Sequence, residues 1–286
     1  MKISIIIASY NYADLIGRAI ESIISQTYDN CELIIVDDGS VDNSIEIINK
    51  YVEKYENIHL YQHPSSENKG LKETVKLGLE KATSNYIAFL ECDDYWENNY
   101  LEEKVKILEK YPNIKFIFND VNLVGDEKSI RKLDSHFKMS KRFLSMKPWP
   151  RKLFQYFFML NLVPTFSSVL IEKSVIKSCD FETPIDALLD LWLWIQISAN
   201  NKFYYIDKKL TNWMIHPASY LNTSPDVANK KKQKLFFDCA IKLIMVKKRG
   251  NILMFFKLML LKSFMIPRID KLFRGLIKKL LVIMES

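Results

Sequence analysis

Glycine and histidine are scarce in this chain, and their scarcity excludes several common cofactor sites. Only 7 glycines and 4 histidines occur among the 286 residues. No two glycines are separated by a single residue, so the G-x-G-x-x-G dinucleotide fingerprint is missing, and no P-loop motif is present. The histidines form no H-E-x-x-H motif, which excludes a zincin. The 4 cysteines lie far apart, in neither C-x-x-C nor zinc-finger spacing, which favours a reduced, cytosolic chain.

Acidic residues are scarce towards the C-terminal end, and the charge is therefore uneven. Residues 229–286 hold 15 Lys and Arg against 3 acidic residues, a net charge of +12, whereas residues 1–228 hold 26 basic and 31 acidic residues, a net charge of −5. At about 100° per residue, positions 268–284 separate into a basic and an apolar face. Such helices commonly lie on anionic membranes, so we expect residues 226–286 to be a basic amphipathic tail. The alternatives are a helical cap packed on the preceding domain and a dimer contact.

Long hydrophobic runs are also scarce. The longest stretch without a charged residue spans 153–171 and includes Gln155, Asn161 and Pro164, which make it too polar for a membrane span. We expect it to pack in the core. The apolar run at 3–8 is only strand-length and charges soon follow, so no secretory signal is indicated. These features predict a cytoplasmic protein, and the basic tail would place it peripherally on the inner face of the membrane.

The first hundred residues alternate between strand and helix patterns. Continuous apolar runs, typical of strands covered on both faces, alternate with segments of helical period. This repetition predicts an α/β fold with a mostly parallel sheet, built over residues 1–225. The predicted strands are 3–8, 32–36, 58–61 and 86–90, and the predicted helices are 14–26, 42–55 and 72–82.

Polar clusters follow three of these strands, at positions 9–11, 37–40 and 91–94. In parallel sheets ligands bind beyond the carboxyl ends of the strands, so the clusters should share one crevice. Acidic groups with no histidine or cysteine ligand set suit a hard cation such as Mg²⁺ or Mn²⁺. Each aspartate could instead cap a helix or shape a turn. Two Asp pairs at different strand ends make that reading weaker, because like charges repel without a cation or ligand.

Four motifs resemble those of the family 2 glycosyltransferases, an inverting class with the GT-A fold. I-S-I-I-I-A-S-Y-N at 3–11 resembles the first strand and its turn, and V-D-D-G-S at 36–40 matches the nucleotide motif. N-K-G at 68–70 resembles the N-x-G before the third helix, and the strand ending in E-C-D-D at 91–94 resembles the one ending in D-x-D. The resemblance covers roughly the first 220 residues.

The resemblance implies roles for residues of the donor site. Ala8 and Tyr10 would flank the nucleotide base, and Asp38 would accept a hydrogen bond from a uracil-like edge. Lys69 would contact base or phosphate. The three acidic residues of E-C-D-D would serve the donor and its metal. These are Glu91 at the ribose or the metal, Asp93 on the metal and diphosphate, and Asp94 near the sugar.

The resemblance also implies a general base for the acceptor hydroxyl. The family usually provides an Asp in an E-D pair before a helix reading roughly D-L-W-L, and this chain lacks that pair. Asp190, directly before L-W-L, is the first candidate and Asp186 the second; on one helix, four residues apart, they would share a face. His216, in a loop similar to the family's Y-R-x-H-x-x-S, would lie against the diphosphate or the metal.

The combined prediction is a metal-dependent inverting glycosyltransferase. It would move a sugar from a nucleotide-sugar, UDP-linked, to a hydroxyl of a glycan or lipid-linked acceptor in surface polysaccharide synthesis. The alternatives are a non-catalytic glycosyltransferase-like binding protein and a nucleotidyltransferase. A nucleic-acid partner for the basic tail is disfavoured by the acidic body and by the apolar face of the tail.

Overall fold

The alternation of strands and helices in the first hundred residues is confirmed by the computed structural model. The structure describes residues 1–146, 148–158, 162–216, 219 and 223–247. The strands are β1 Ile3–Ser9, β2 Cys31–Asp37, β3 Ile58–Gln62, β4 Tyr86–Phe89, β5 Tyr95–Trp96, β6 Phe116–Gly125, β7 Val169–Glu172 and β8 Tyr204–Ile215. The helices are α1 Ala13–Ile24, α2 Ser44–Val52, α3 Leu71–Lys81, α4 Tyr100–Lys110, α5 Glu127–Leu144, α6 Lys173–Lys177, α7 Leu189–Ser198, α8 Pro225–Ala228 and α9 Lys230–Lys247.

The strands form one mixed sheet in the order β3-β2-β1-β4-β7-β6-β8-β5. The first four are parallel neighbours, and β6 and β8 are parallel as well. Strand β7 is antiparallel to both β4 and β6, and β5 is antiparallel to β8. The fold is therefore α/β with a mostly parallel, Rossmann-like sheet and flanking helices, as the sequence predicts.

Both faces of the sheet are covered, which explains the continuous apolar runs. Ile3, Ile5 and Ile7 of β1 pack into one apolar cluster, whereas Ile6 of the same strand packs into the other. The alternation follows from the two-residue period of a strand, which turns successive side chains to opposite faces. With both faces filled, only the strand ends remain free to build a site.

The uncharged stretch at 153–171 contributes to the core, as predicted. It contains two short 3₁₀ turns, Phe154–Phe158 and Phe166–Ser168, and the first residues of β7. Leu153, Val163 and Val169 are fully buried. Among the residues that the structure describes, none of the helices combines the length and apolarity needed to cross a membrane.

The described part of the tail packs against the preceding residues. Phe236 of α9 is fully buried and lies with its ring centroid 5.4 Å from that of Trp192 in α7. The next turn of α9 buries Ala240 and Ile241. The predicted amphipathic segment 268–284 lies outside the described residues, so the division at residue 225 stays a prediction.

Candidate active site

The turns after β1 and β2 are hydrogen-bonded to each other. Asn11 adopts a left-handed backbone conformation, with φ of 57°. Its amide donates to Ser40 Oγ at 2.9 Å, and its Oδ1 accepts from the amide of Val41 at 2.9 Å. Asp37 is fully buried and accepts the backbone amides of Gly39 and Ser40. Asp37 thus shapes the turn and leaves Asp38 as the carboxylate on the ligand side.

Asp38 lies beneath the segment that leads into α3. Its Oδ1 accepts the amide of Lys69 at 2.7 Å, and its Oδ2 accepts the amide of Gly70 at 2.9 Å. The side chain of Lys69 pairs with Glu67, so in this state its ammonium does not extend over the strand ends. The motif residues at 38 and 68–70 are therefore in contact, through hydrogen bonds from the backbone amides of residues 69 and 70 to the Asp38 carboxylate.

Four carboxylates gather at the end of β4 and beside it. Glu91 Oε2 accepts from Thr165 Oγ1 at 2.5 Å, and the same hydroxyl lies 3.3 Å from Asp94 Oδ2. Asp94 is fully buried and accepts the amide of Met214 at 2.9 Å. Asp93, with 9% of its surface exposed, completes the cluster with Asp190, whose charge acts on Glu91.

The crowding raises the pKa values of these acids. Burial, then the charge of Asp93, raises the pKa of Glu91 to about 8, and the charge of Asp190 adds to the rise. Burial, with Asp93 and Glu91, raises the pKa of Asp94 well above its usual value. Burial raises the pKa of Asp190 to about 6. Uncompensated negative charge of this kind favours a cationic ligand.

Asp93 and His216 form a close pair with metal-ligand chemistry. His216 Nε2 lies 2.9 Å from Asp93 Oδ2. Within the described ranges no group of three or more His, Cys, Asp or Glu side chains converges as a metal site. Mg²⁺ and similar cations are often held by one or two protein ligands together with substrate phosphates. The pair and the surplus negative charge around it fit such an ion.

The two candidate bases lie on different elements, so the expectation of one shared helix face is wrong. Asp186 begins a 3₁₀ turn, Asp186–Leu188, and α7 begins only at Leu189. A Cβ on Gly70 would lie 3.5 Å from Asp186 Oδ2, which places Asp186 at the nucleotide loop. Asp190, in the first turn of α7, lies within electrostatic reach of Glu91.

The two residues predicted to flank the base lie at the end of β1. Ala8 is partly buried, and its carbonyl accepts from Cys92 Sγ at 3.1 Å. Tyr10 follows the strand and is 45% exposed. These positions are compatible with contact to a planar ring above the turn. The roles implied for them stay predictions.

Sequence reasoning missed two residues that the fold brings to the cluster. Thr165 joins Glu91 to Asp94 through one hydroxyl, although it lies about seventy positions away in the chain. Arg18 donates from its guanidinium to the carbonyl of Asp93 at 2.8 Å and lies over the ring of Tyr95. Neither residue stands in a recognisable motif, and only the strand order places them here.

Curated relatives match part of the chain. An uncharacterized glycosyltransferase of Haemophilus influenzae is 42% identical over 106 residues, which cover 37% of this chain and 42% of that protein. UDP-Glc:alpha-D-GlcNAc-diphosphoundecaprenol beta-1,3-glucosyltransferase WfaP of Escherichia coli is 38% identical over 107 residues, or 37% of this chain and 41% of WfaP. The match thus spans less than half the length of either relative.

Solved structures match the fold over most of the chain. S. aureus TarS, in complex with UDP-GlcNAc, has a TM-score of 0.61 at 17% identity, covering 86% of this chain and 66% of that one. The mannosyltransferase PcManGT from Pyrobaculum calidifontis, in complex with GDP-Man and Mn²⁺, has a TM-score of 0.59 at 14% identity, covering 98% and 79%.

The family itself follows from the sequence. The family model described as glycosyl transferase family 2 matches residues 4–176, more than half of the chain, and this range contains the first two strand-end turns and the acidic E-C-D-D loop. This chain therefore belongs to glycosyl transferase family 2. Its mixed, mostly parallel sheet with flanking helices and its structural likeness to TarS show that it has the GT-A fold.

Proposed function

We propose that the protein is an inverting glycosyltransferase that moves a sugar from a UDP-linked donor to a hydroxyl of a glycan or lipid-linked acceptor. The observation that carries the mechanism is Asp190. This carboxylate stands at the start of α7 beside the acidic cluster, and burial raises its pKa to about 6. A general base works best with a pKa near the operating pH, because it is then both deprotonated and basic.

In this mechanism Asp190 takes the proton of the acceptor hydroxyl while the oxygen attacks the anomeric carbon. The carbon–oxygen bond to the diphosphate breaks on the opposite side, so the configuration inverts. A divalent cation such as Mg²⁺ or Mn²⁺, when held by Asp93 and His216, supplies positive charge to the leaving diphosphate. Thr165 Oγ1 lies within hydrogen-bonding distance of both Asp94, which would stand near the donor sugar, and Glu91, which would contact the ribose or the metal.

The assignment of the donor as a UDP-sugar is supported by the loop around Asp38. Both carboxylate oxygens already accept backbone amides. A carboxylate has about four lone-pair sites, so acceptor capacity remains for an imide N–H like that of uracil. The complex of the TarS neighbour with UDP-GlcNAc and the UDP-Glc in the name of WfaP point in the same direction. WfaP's diphosphoundecaprenol acceptor supports a lipid-linked acceptor.

A donor panel tests this function. UDP-, GDP- and CMP-sugars, together with the nucleoside triphosphates UTP, GTP and CTP, are assayed for binding and slow hydrolysis, with Mn²⁺ and with EDTA. We expect one UDP-sugar to bind tightly and to be hydrolysed only with the metal. Binding without turnover, metal or no metal, would favour the non-catalytic binding protein, and preference for a nucleoside triphosphate would favour a nucleotidyltransferase.

We further propose that the protein works peripherally on an anionic, cytoplasmic membrane face through its basic tail. The outward face of α9 exposes Lys231, Lys234 and Lys242, with Leu235 52% exposed among them. Each basic residue near an anionic surface contributes about 1 kcal/mol of attraction. Cosedimentation with anionic vesicles, absent with neutral ones and weakened in a Lys231→Glu/Lys234→Glu variant, is the expected result; equal binding to both vesicles would contradict it.

A further inference from the structure

The buried amine of Lys104 is the least expected charge-bearing group of the fold. Lys104 lies on α4 and is fully buried, whereas its neighbour Lys106 is exposed and pairs with Glu102. Burial alone acts on Lys104 and lowers its pKa well below the usual value. A buried amine without an ionic partner is costly, and an apolar side chain of similar length would avoid that cost.

The contacts of Lys104 lead towards the acidic cluster. Its Nζ donates to the carbonyl of Ser168 at 2.9 Å and lies 4.5 Å from the ring centroid of Tyr100. Tyr100 in turn donates from its hydroxyl to the carbonyl of Val169 at 3.0 Å. Trp96, stacked on Tyr100 at 3.9 Å, donates from Nε1 to the carbonyl of Ser167 at 2.7 Å.

Three consecutive carbonyls are thus held by side chains from one side of the sheet. The opposite side of the same turn, residues 165–169, faces the reaction centre. There Thr165 bonds both Glu91 and Asp94, and Ser167 Oγ accepts the amide of Glu91 at 3.0 Å. The turn therefore links the buried donors of α4 and β5 to these two carboxylates.

We propose that Lys104 is a positioning residue of the transferase: by holding the Ser168 carbonyl, it fixes the turn at 165–169 and, through Thr165 and Ser167, the carboxylates of Glu91 and Asp94. Lys104 itself does not touch the substrate. The inference rests on the proposed function for its kinetic consequence, but the rigidity of the turn is a property of the folded chain alone.

Two variants whose side chains equal each other in length, each one atom shorter than lysine, test the positioning role of Lys104. Lys104→Gln keeps an N–H donor, and Lys104→Met removes it. In the full chain, we expect Lys104→Met to lower kcat for donor turnover by about 10- to 100-fold, since a displacement near 1 Å at a reaction centre costs up to about that much. KM for the donor should stay near the wild-type value, and Lys104→Gln should retain more of kcat. Lys106→Met on the same helix is the matched control.

Amide hydrogen exchange gives a readout that needs no activity. The peptide covering 165–169 should exchange faster in Lys104→Met than in wild type or Lys104→Gln, while the peptide covering β1 stays unchanged. Should Lys104→Met fail to fold, Tyr100→Phe removes one donor from the same turn and should act in the same direction, with a smaller effect.

The outcomes separate the two proposals. Wild-type kcat in Lys104→Met, equal losses in the Met and Gln variants, or unchanged exchange at 165–169 would each overturn the role of Lys104. A wild-type chain that turns over no donor would overturn the proposed function, and the exchange measurement would still decide whether Lys104 fixes the turn.

Discussion

The two ends of the same sheet hold carboxylates in opposite electrostatic states. At the amino end, Glu32 accepts hydrogen bonds from Lys2, Ser4 and Thr83. Although burial acts to raise its pKa, these donors hold it at about 2. At the carboxyl end, burial outweighs the hydrogen bonds that Glu91 accepts from Thr165 and Asp190 from the amide of Leu191, and their pKa values rise to about 8 and about 6.

The difference separates a carboxylate that is satisfied within the fold from carboxylates that we propose to act on a ligand. The donors at Glu32 are complete, so this side chain needs no ligand and ties β1, β2 and the start of β4 together. The carboxyl end instead concentrates negative charge that folding leaves largely uncompensated. This repulsion destabilises the folded chain, and a bound cationic ligand would relieve it. The account predicts that substitutions at the two ends have opposite consequences for stability and activity.

The largest expected effect is on catalysis at the carboxyl end. Asp190→Asn should lower kcat by about 10²- to 10⁴-fold, because the acceptor hydroxyl loses its base, while donor affinity is retained. Steady-state kinetics with the donor identified by the panel measures it, with Asp14→Asn on the exposed face of α1 as the control. A larger loss of kcat in Asp186→Asn than in Asp190→Asn would move the base to Asp186.

The next effect is on stability at the amino end. Glu32→Gln should lower the free energy of unfolding at pH 7 by about 3 kcal/mol, from the pKa difference between the unfolded value of 4.5 and about 2. Because the folded pKa is depressed, this stabilisation is present above pH 4.5 and is lost as the pH falls towards 2. Urea unfolding at pH 7 and pH 3 measures it, with Glu80→Gln as the exposed control. Equal losses at both pH values would contradict the assignment.

A pH–rate profile distinguishes Asp190 from an ordinary surface carboxylate. Its raised pKa predicts that kcat/KM falls about tenfold for each pH unit below about 6, as the base becomes protonated. An acidic limb centred near 4 instead would show that burial does not tune the base.

The smallest expected effect is a gain in stability. The folded pKa of Glu91 is raised, so its ionisation destabilises the fold increasingly as the pH rises from 4.5 towards 8. Glu91→Gln should therefore raise the melting midpoint at pH 8, by about 2–4 °C for each 1 kcal/mol of repulsion that the substitution relieves. At pH 5 the wild type and Glu91→Gln should have similar melting midpoints. A lower midpoint for Glu91→Gln at pH 8 would contradict the prediction that charge repulsion around Glu91 destabilises the fold.

Much of the fold follows from local sequence signals. The apolar runs of β1 and β2 predict strands that are covered on both faces. The polar turns that follow these strands indicate the carboxyl end of the sheet. Asp38 and the amides at 69 and 70 meet as their motifs suggest. The change to a basic composition in the tail is equally visible in the sequence, and the structure describes the tail as far as residue 247.

The parts that sequence could not supply depend on long-range packing. Thr165 reaches Glu91 only because β7 inserts beside β4 in an antiparallel direction. The break between the Asp186–Leu188 turn and α7 separates two aspartates that helical period would have placed together. From the sequence alone, Lys104 resembles an ordinary surface lysine. In the fold it is buried, and its Nζ contacts the turn at 165–169. No regular spacing of residues in the sequence predicts any of these contacts.

The most direct test of the central claim is a thermal melt of the wild type, Asp93→Asn and Glu32→Gln, each with and without UDP and Mn²⁺. The account predicts that UDP with Mn²⁺ raises the melting midpoint of the wild type and, from its lower baseline, of Glu32→Gln by a similar amount. Asp93→Asn should show little or no rise. An equal rise in Asp93→Asn, or no rise in the wild type, would contradict the claim that the carboxyl end of the sheet is the nucleotide and metal site.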